Sequence, residues 1–121
     1  MYRFIIPLET PSKKNSRQFL KNGKNIPSLQ YQSWEQEAYY ILKTHKERPL
    51  DPIDKPVKIC MTFTHGDNVR RDSDNQVSSI LDLLQEIEIL KDDCWQIVRQ
   101  LEVHNEYEKG KPKALIEISD Y

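Results

Sequence analysis

The segment VKICMTFTHGDNVRRDSDNQVSSILDLL, residues 57–84, holds the clearest structural signals in this chain because a strand pattern runs directly into a helix pattern. Apolar and polar side chains alternate over Val57–Thr64, which predicts a strand with one buried face. Apolar residues recur at helical spacing over Ser73–Leu84, which predicts an amphipathic helix that ends no later than residue 88. Ser73 and Gln76 fit a capping box at the start of this helix.

Four further segments complete the predicted architecture. Strands are predicted at Tyr2–Leu8, Gln96–Tyr107 and Ala114–Ser119, and a turn at residues 109–112 joins the last two. A first helix is predicted at Ser28–Lys46, with an apolar stripe that faces the core. The order β-α-β-α-β-β predicts a single compact α+β domain over residues 1–121, in which two main helices pack on a small mixed sheet.

A basic, turn-rich segment, Thr10–Pro27, lies between the first strand and the first helix. It contains no acidic residue, and Asn22-Gly23 near its centre favours a type I′ hairpin turn. We therefore predict a flexible basic loop or hairpin, with a plain surface loop as the alternative. Its basic residues are Lys13, Lys14, Arg17, Lys21 and Lys24.

Charge is divided unevenly along the chain, although the net charge is only −1. Residues 1–58 carry 11 basic and 6 acidic side chains, a charge of +5, whereas residues 59–121 carry 7 and 13, a charge of −6. Such a division suits a metal-dependent nuclease, because cations must meet the phosphate backbone while acidic side chains gather around a metal. A chance asymmetry of ordinary surface charge is the alternative.

The composition indicates a soluble protein of a reducing compartment, and we expect the cytoplasm. Charged residues make up 31% of the chain, and no apolar run approaches the roughly 20 residues of a membrane helix. The apolar start at residues 4–6 lacks the features of a signal peptide. The two cysteines, Cys60 and Cys94, fit free thiols, and no Cys/His set has the sequence spacing of a zinc site.

Two aspartate clusters suggest a divalent metal site. Asp72 and Asp74 lie at the start of the second helix, and Asp93 follows nineteen residues after Asp74, with Asp92 beside it as a further candidate ligand. Magnesium prefers oxygen ligands and is often held by a few carboxylates together with substrate phosphate. The sequence therefore predicts a Mg²⁺ site at these acids, and Mn²⁺ is expected to substitute for Mg²⁺.

Each aspartate also has a structural interpretation. Aspartate is favoured at helix N-termini, so Asp72 or Asp74 could serve only as a cap, and Asp92 could cap a short turn. Arg70 and Arg71 directly precede the first cluster, where they could bind phosphate or simply neutralise the acids. The sequence alone leaves these alternatives open.

The spacing of the clusters raises a geometric question. A helix over residues 73–86 is about 20 Å long, and the seven residues that follow can span at most about 25 Å. Asp93 can therefore approach Asp72 within one chain only if the chain doubles back or the helix ends early. The alternative is a two-fold dimer in which Asp93 of one subunit meets Asp72 and Asp74 of the other.

Taken together, these motifs resemble the RusA family of Holliday junction resolvases. The resemblance rests on residues 71–75 (Arg-Asp-Ser-Asp-Asn), residues 81–84 (Leu-Asp-Leu-Leu) and residues 90–93 (Leu-Lys-Asp-Asp), at spacing that needs no gap. Residues 11–15 (Pro-Ser-Lys-Lys-Asn) are also similar to the Pro-Ser-x-x-Asn opening of the family. The resemblance covers most of the chain.

The resemblance implies a homodimer, encoded by a bacterium, phage or prophage, that binds four-way DNA junctions and makes paired symmetric nicks with Mg²⁺. It implies that Asp72, Asp74 and Asp93 are the catalytic acids. One departure matters: the family often has a lysine four residues after the second aspartate, where this chain has Ser78. Lys91, Arg70 or a basic residue of segment 10–27 could replace that cation.

The leading hypothesis is therefore a crossover junction endodeoxyribonuclease that acts in DNA recombination and repair. A flap, fork or single-strand nuclease and a non-catalytic DNA-binding accessory protein are the alternatives. A two-fold dimer suits the first, because two related sites could cut opposite strands of a symmetric junction. The residues predicted to contact DNA are Lys13, Lys14, Asn15, Arg17, Lys21, Lys24, Arg70, Arg71 and Lys91.

Overall fold

A computed structural model describes residues 1–12, 17–19 and 25–121, and for the short strands at 17–19 and 25–27 it describes the backbone only. The strands are β1 (Tyr2–Ile6), β2 (Arg17–Phe19), β3 (Asn25–Pro27), β4 (Val57–His65), β5 (Val98–Tyr107) and β6 (Lys113–Asp120). The helices are α1 (Leu29–Lys43) and α2 (Ser73–Glu86). Apart from the short β2–β3 pair, this is the predicted α+β order with both helices in place.

The main sheet has the order β1-β6-β4-β5, and it is mixed as predicted. β5 runs parallel to β4, whereas β6 is antiparallel to both β4 and β1. β5 and β6 are consecutive in the chain but are not neighbours, because β6 returns on the far side of β4. β5 is therefore an edge strand with β4 as its neighbour in this sheet.

The connection from β5 to β6 crosses over the end of β4 and needs two glycines. Glu108 N donates to His65 O at 3.0 Å, and Gly110 N donates to Gly66 O at 2.8 Å. A Cβ atom on Gly66 would lie 2.7 Å from Cδ of Pro112, which is too close for any other residue. Gly110 has a φ of 72°, in the left-handed region that glycine adopts without strain.

The hydrophobic core lies between one face of the sheet and the two helices. The alternation predicted for β4 is confirmed, since Val57, Ile59, Met61 and Phe63 are at most 1% exposed. Both helices bury their apolar stripes against the same face. α1 contributes Tyr31, Trp34, Ala38 and Leu42, and α2 contributes Val77, Ile80, Leu83 and Leu84. Neither helix of the described part of the chain is long and apolar enough to cross a membrane.

Two local predictions concern the start of α2 and the basic segment. The capping box at the start of α2 is wrong: Asp72, not Ser73, is the N-cap residue, and the Gln76 side chain binds Thr10 O instead. In the basic segment, β2 and β3 pair antiparallel with Phe19 opposite Asn25. The predicted Asn22-Gly23 turn lies outside the described residues.

Because β4 is the central strand of the core, we expect Met61→Ala to destabilise the fold strongly. Met61 is 0% exposed, and truncation of a buried side chain of this size costs about 2–5 kcal/mol. Leu50→Ala is the matched control, because Leu50 is 102% exposed and its loss should change stability by less than about 0.5 kcal/mol. Urea unfolding measures both values, and equal effects would contradict this placement of the core.

Candidate active site

The first aspartate cluster lies at an exposed helix start, and its carboxylates are accessible. Asp72 is the N-cap residue of α2 by backbone position, but its side chain makes no capping hydrogen bond. One oxygen of Asp72 instead lies 3.1 Å from Nη2 of Arg70, whose side chain is 87% exposed. Asp74 is exposed in the first turn of the helix. A capping role for the side chain therefore does not explain why position 72 carries a carboxylate.

Arg71 is held in a different way from Arg70. Its guanidinium donates to both oxygens of Asp67, from Nη1 at 2.6 Å and from Nη2 at 3.1 Å. This hydrogen bonding lowers the pKa of Asp67 to about 2. The Arg71 side chain is only 21% exposed, so it braces the turn between β4 and α2. Of the two arginines, Arg70 is the one whose charged head faces solvent.

A partly buried carboxylate, Glu9, organises this region and was missed in the sequence. Its side chain is 20% exposed and lies just after β1. Oε2 of Glu9 is 2.9 Å from Nδ1 of His65, and Oε1 accepts from Gly66 N at 3.3 Å. Nη1 of Arg71 lies 3.5 Å from Oε1, and Nε2 of Gln76 donates to Oε2 at 3.4 Å. Glu9 thus ties the exit of β1 to the end of β4 and to the start of α2.

His65 extends this network to the edge strand. Its Nε2 lies 2.9 Å from Oδ1 of Asn105 on β5, and Nδ2 of Asn105 donates to Oγ of Ser73 at 3.1 Å. A continuous polar chain therefore runs from Glu9 to the first residue of α2. Only the pairing of distant segments reveals this role of His65.

Two polar side chains of α2 hold the base of the basic segment beside Asp72. Nε2 of Gln76 donates to Thr10 O at 3.0 Å, and Oγ of Ser79 donates to Pro11 O at 2.8 Å. Gln76 and Ser79 are buried, although both are polar. The sequence contains a sign that these two residues are special, because they interrupt an otherwise apolar helix face next to Val77 and Ile80.

A cleft of about 230 Å³ adjoins the aspartate cluster. Its lining includes residues 10–12, which follow β1, and residues 69–72, which precede α2. Ser12 is the last described residue before the predicted DNA contacts of the basic segment. Lys13, Lys14, Asn15, Lys21 and Lys24 lie outside the described residues, as does the side chain of Arg17.

The second aspartate cluster lies at the opposite end of the sheet. Lys91 N donates to Ile53 O at 3.0 Å, and Nζ of Lys91 is 3.0 Å from Oδ2 of Asp54. These contacts place residues 91–93 beside the start of β4, together with the start of β5. Oδ1 of Asp92 accepts a 2.7 Å hydrogen bond from Asp93 N, and both aspartates are exposed.

The predicted acids are therefore not brought together within one chain. α2 begins near the end of β4, where Ser73 contacts Asn105, whereas Asp93 lies near the start of β4. The 9 residues of β4 span about 26 Å at roughly 3.3 Å per step. Among the described residues, the potential metal ligands that lie together are Cys60, Glu102 and His104, not the aspartates. The chain does not double back from α2.

Comparisons with known proteins point to one family. The family described as "Endodeoxyribonuclease RusA" matches residues 7–119, nearly the whole chain. A curated relative, "Crossover junction endodeoxyribonuclease RusA" of Aquifex aeolicus (strain VF5), is 25% identical over 101 residues. That alignment covers 84% of this chain and 77% of the relative.

We expect Glu9→Gln to destabilise the protein by about 1–3 kcal/mol, because a neutral amide cannot satisfy the donors gathered around the carboxylate. Glu37→Gln, at an exposed position of α1, is the control and should change stability by less than about 0.5 kcal/mol. Urea unfolding compares the two variants. If both leave the midpoint unchanged, Glu9 does not organise the start of α2.

Proposed function

The chain belongs to the RusA family of endodeoxyribonucleases, and from this premise we propose that it is a Mg²⁺-dependent endonuclease that resolves four-way DNA junctions by paired symmetric nicks. The named relative from Aquifex aeolicus supports the junction as substrate. This activity would serve DNA recombination and repair in a bacterial cytoplasm, and we propose a phage or prophage origin. We propose residues 1–121 as one endonuclease domain.

The observation that carries this proposal is a pair of accessible carboxylates: Asp72, which lines a cleft, and Asp74, which follows it in the first turn of α2. Both offer hard oxygen ligands, and Mg²⁺ is commonly held by one or two carboxylates plus substrate phosphate. The residues present therefore fit the ion. When bound, Mg²⁺ would activate water and stabilise the charge that develops on the phosphate.

The two arginines take different roles in this proposal. The exposed guanidinium of Arg70 lies next to Asp72, so it is placed to bind a phosphate oxygen at the metal. Arg71 is engaged by Asp67 and Glu9, and its principal role is to fix the turn that carries Asp72. Arg71 still adds positive charge to the cleft wall, so both arginines attract the DNA backbone.

We further propose that the basic segment binds the arms of the junction. Hydrogen bonds from Gln76 and Ser79 hold Thr10 and Pro11, the first residues of this segment, against α2, and both residues line the same cleft as Asp72. Phosphate neutralisation by such cations dominates affinity for DNA. The contacts proposed here are Lys13, Lys14, Asn15, Arg17, Lys21 and Lys24, together with Arg70, Arg71 and, near Asp93, Lys91.

A homodimer completes the metal site in this proposal. Asp93 lies a strand length away from Asp72 within one chain, so Asp93 of the partner subunit would supply the third carboxylate, with Asp92 of the partner subunit beside it. The described surface supports an interface at edge strand β5, where Leu101 is 42% exposed and Tyr107 is 61% exposed. Two-fold symmetry then gives two equivalent sites for two symmetric nicks.

A non-catalytic DNA-binding role is the second candidate, because one observation favours it. Ser78 is exposed on α2, one helical turn after Asp74, where the family often has a lysine. Without that cation, charge stabilisation at the phosphate would rest on Arg70 or on basic residues outside α2. Binding of a four-way junction without Mg²⁺-dependent nicking would select this alternative.

Asp72→Asn and Asp74→Asn should each abolish nicking of a synthetic four-way junction, while binding of the junction is retained or tightened by the loss of negative charge. Glu37→Gln removes a carboxylate far from the cleft and should nick like the wild type. Gel assays with and without Mg²⁺, alongside mobility shifts, measure both properties. Normal cleavage by both Asn variants would exclude this metal site.

A mixed dimer tests whether Asp93 acts across subunits. Asp72→Asn and Asp93→Asn subunits with different affinity tags are co-expressed, and the doubly tagged dimer is purified. If the site is shared, one of the two sites in this dimer keeps all three carboxylates, so we expect nicking of one strand per junction. Each homodimeric variant should be inactive. A site within one chain predicts no nicking, because both chains of the mixed dimer would carry a defect.

A further inference from the structure

A second cluster of potential metal ligands lies on the face of the sheet away from the helices. Cys60 of β4 pairs in register with Glu102 of β5, and His104 follows two residues later on the same face. The buried residues Ile59 and Met61 flank Cys60 and point to the opposite face. The cluster therefore lies on the opposite side of the sheet from the packed core. It shares no residue with the aspartates at the start of α2.

The donor atoms of these three side chains converge on one point. Oε2 of Glu102 lies 3.4 Å from Sγ of Cys60 and 2.9 Å from Nε2 of His104. All three donor atoms lie within 4.8 Å of one another. In a tetrahedral zinc site the corresponding separations are about 3.5 Å for sulfur to oxygen and about 3.3 Å for nitrogen to oxygen. The two measured separations therefore differ from those of a zinc site by about 0.4 Å or less.

The chemistry of these ligands selects the class of metal. A thiolate, an imidazole and a carboxylate together suit Zn²⁺ and related transition ions, whereas Mg²⁺ prefers oxygen ligands alone. On binding, the Cys60 thiol would release its proton to solvent, and the metal–sulfur bond would replace the hydrogen bond to Glu102. The His104 side chain is 54% exposed and the Glu102 side chain 44%, so an ion and a fourth ligand from solvent can reach the site.

We propose that Cys60, Glu102 and His104 form a Zn²⁺ site that links edge strand β5 to central strand β4. Its three ligands leave the fourth tetrahedral position to water. The sequence offered no zinc signal, because Cys60 is 42 positions from Glu102 and only strand pairing joins them. Zinc would add a link between β5, the edge strand of the main sheet, and its neighbour β4.

Titration with Co²⁺ tests this site independently of nuclease activity. We expect one equivalent per chain to produce the near-ultraviolet absorption of a cobalt–thiolate bond, and Zn²⁺ but not Mg²⁺ to remove it. Cys60→Ser should abolish this absorption, while Cys94→Ser, the matched control at the other cysteine, should retain it. Loss of an outer-shell partner alone weakens metal binding about 10- to 100-fold, so His104→Gln and Glu102→Gln should each weaken it at least tenfold.

Thermal unfolding gives a second measurement. Saturating Zn²⁺ should raise the melting temperature of the wild type and of Cys94→Ser, and should raise that of His104→Gln by less. Absence of the thiolate absorption in wild-type protein that is folded by circular dichroism would overturn the proposal. Persistence of the absorption in Cys60→Ser, or its loss in Cys94→Ser alone, would overturn it equally.

Discussion

The Glu9 carboxylate is the interaction on which the geometry of the candidate active site depends. It receives or faces donors from His65, Gly66, Arg71 and Gln76, which come from the end of β4, the following turn and the first turn of α2. The Glu9 carboxylate can be only 20% exposed because these donors replace its hydrogen bonds to water. The start of α2, and with it Asp72, is thus positioned by a residue of the β1 exit rather than by a local cap.

The parallel β4-α2-β5 arrangement explains why one chain cannot assemble the whole set of acids. A helix that joins two parallel strands starts at one end of the sheet and must finish at the other before the second strand begins. Asp72 and Asp74 precede or open the helix, and Asp93 follows it, so the topology itself separates them by the length of β4. A two-fold dimer is the simplest way to bring the two clusters together, and it also matches the symmetry of a four-way junction.

Edge strand β5 presents different side chains on its two faces. β5 leaves Leu101 and Tyr107 exposed on the side that faces the helices, and it places Glu102 and His104 on the opposite side beside Cys60. The first side suits association with a second copy, and the second suits a metal link to β4. Both features arise because β6 returns on the other side of β4 and leaves β5 at the edge.

The sequence alone determined the elements, their order, the buried face of β4 and the family, because periodicity and contiguous motifs are local properties of the chain. It predicted Asp72, Asp74 and Asp93 as metal ligands but left open whether Asp93 approaches the other two within one chain. The partners of Glu9, the side-chain hydrogen bonds of Gln76 and the cluster around Cys60 came only from the tertiary structure. Each joins residues more than 40 positions apart, and such contacts follow from strand order and packing, which no local pattern encodes.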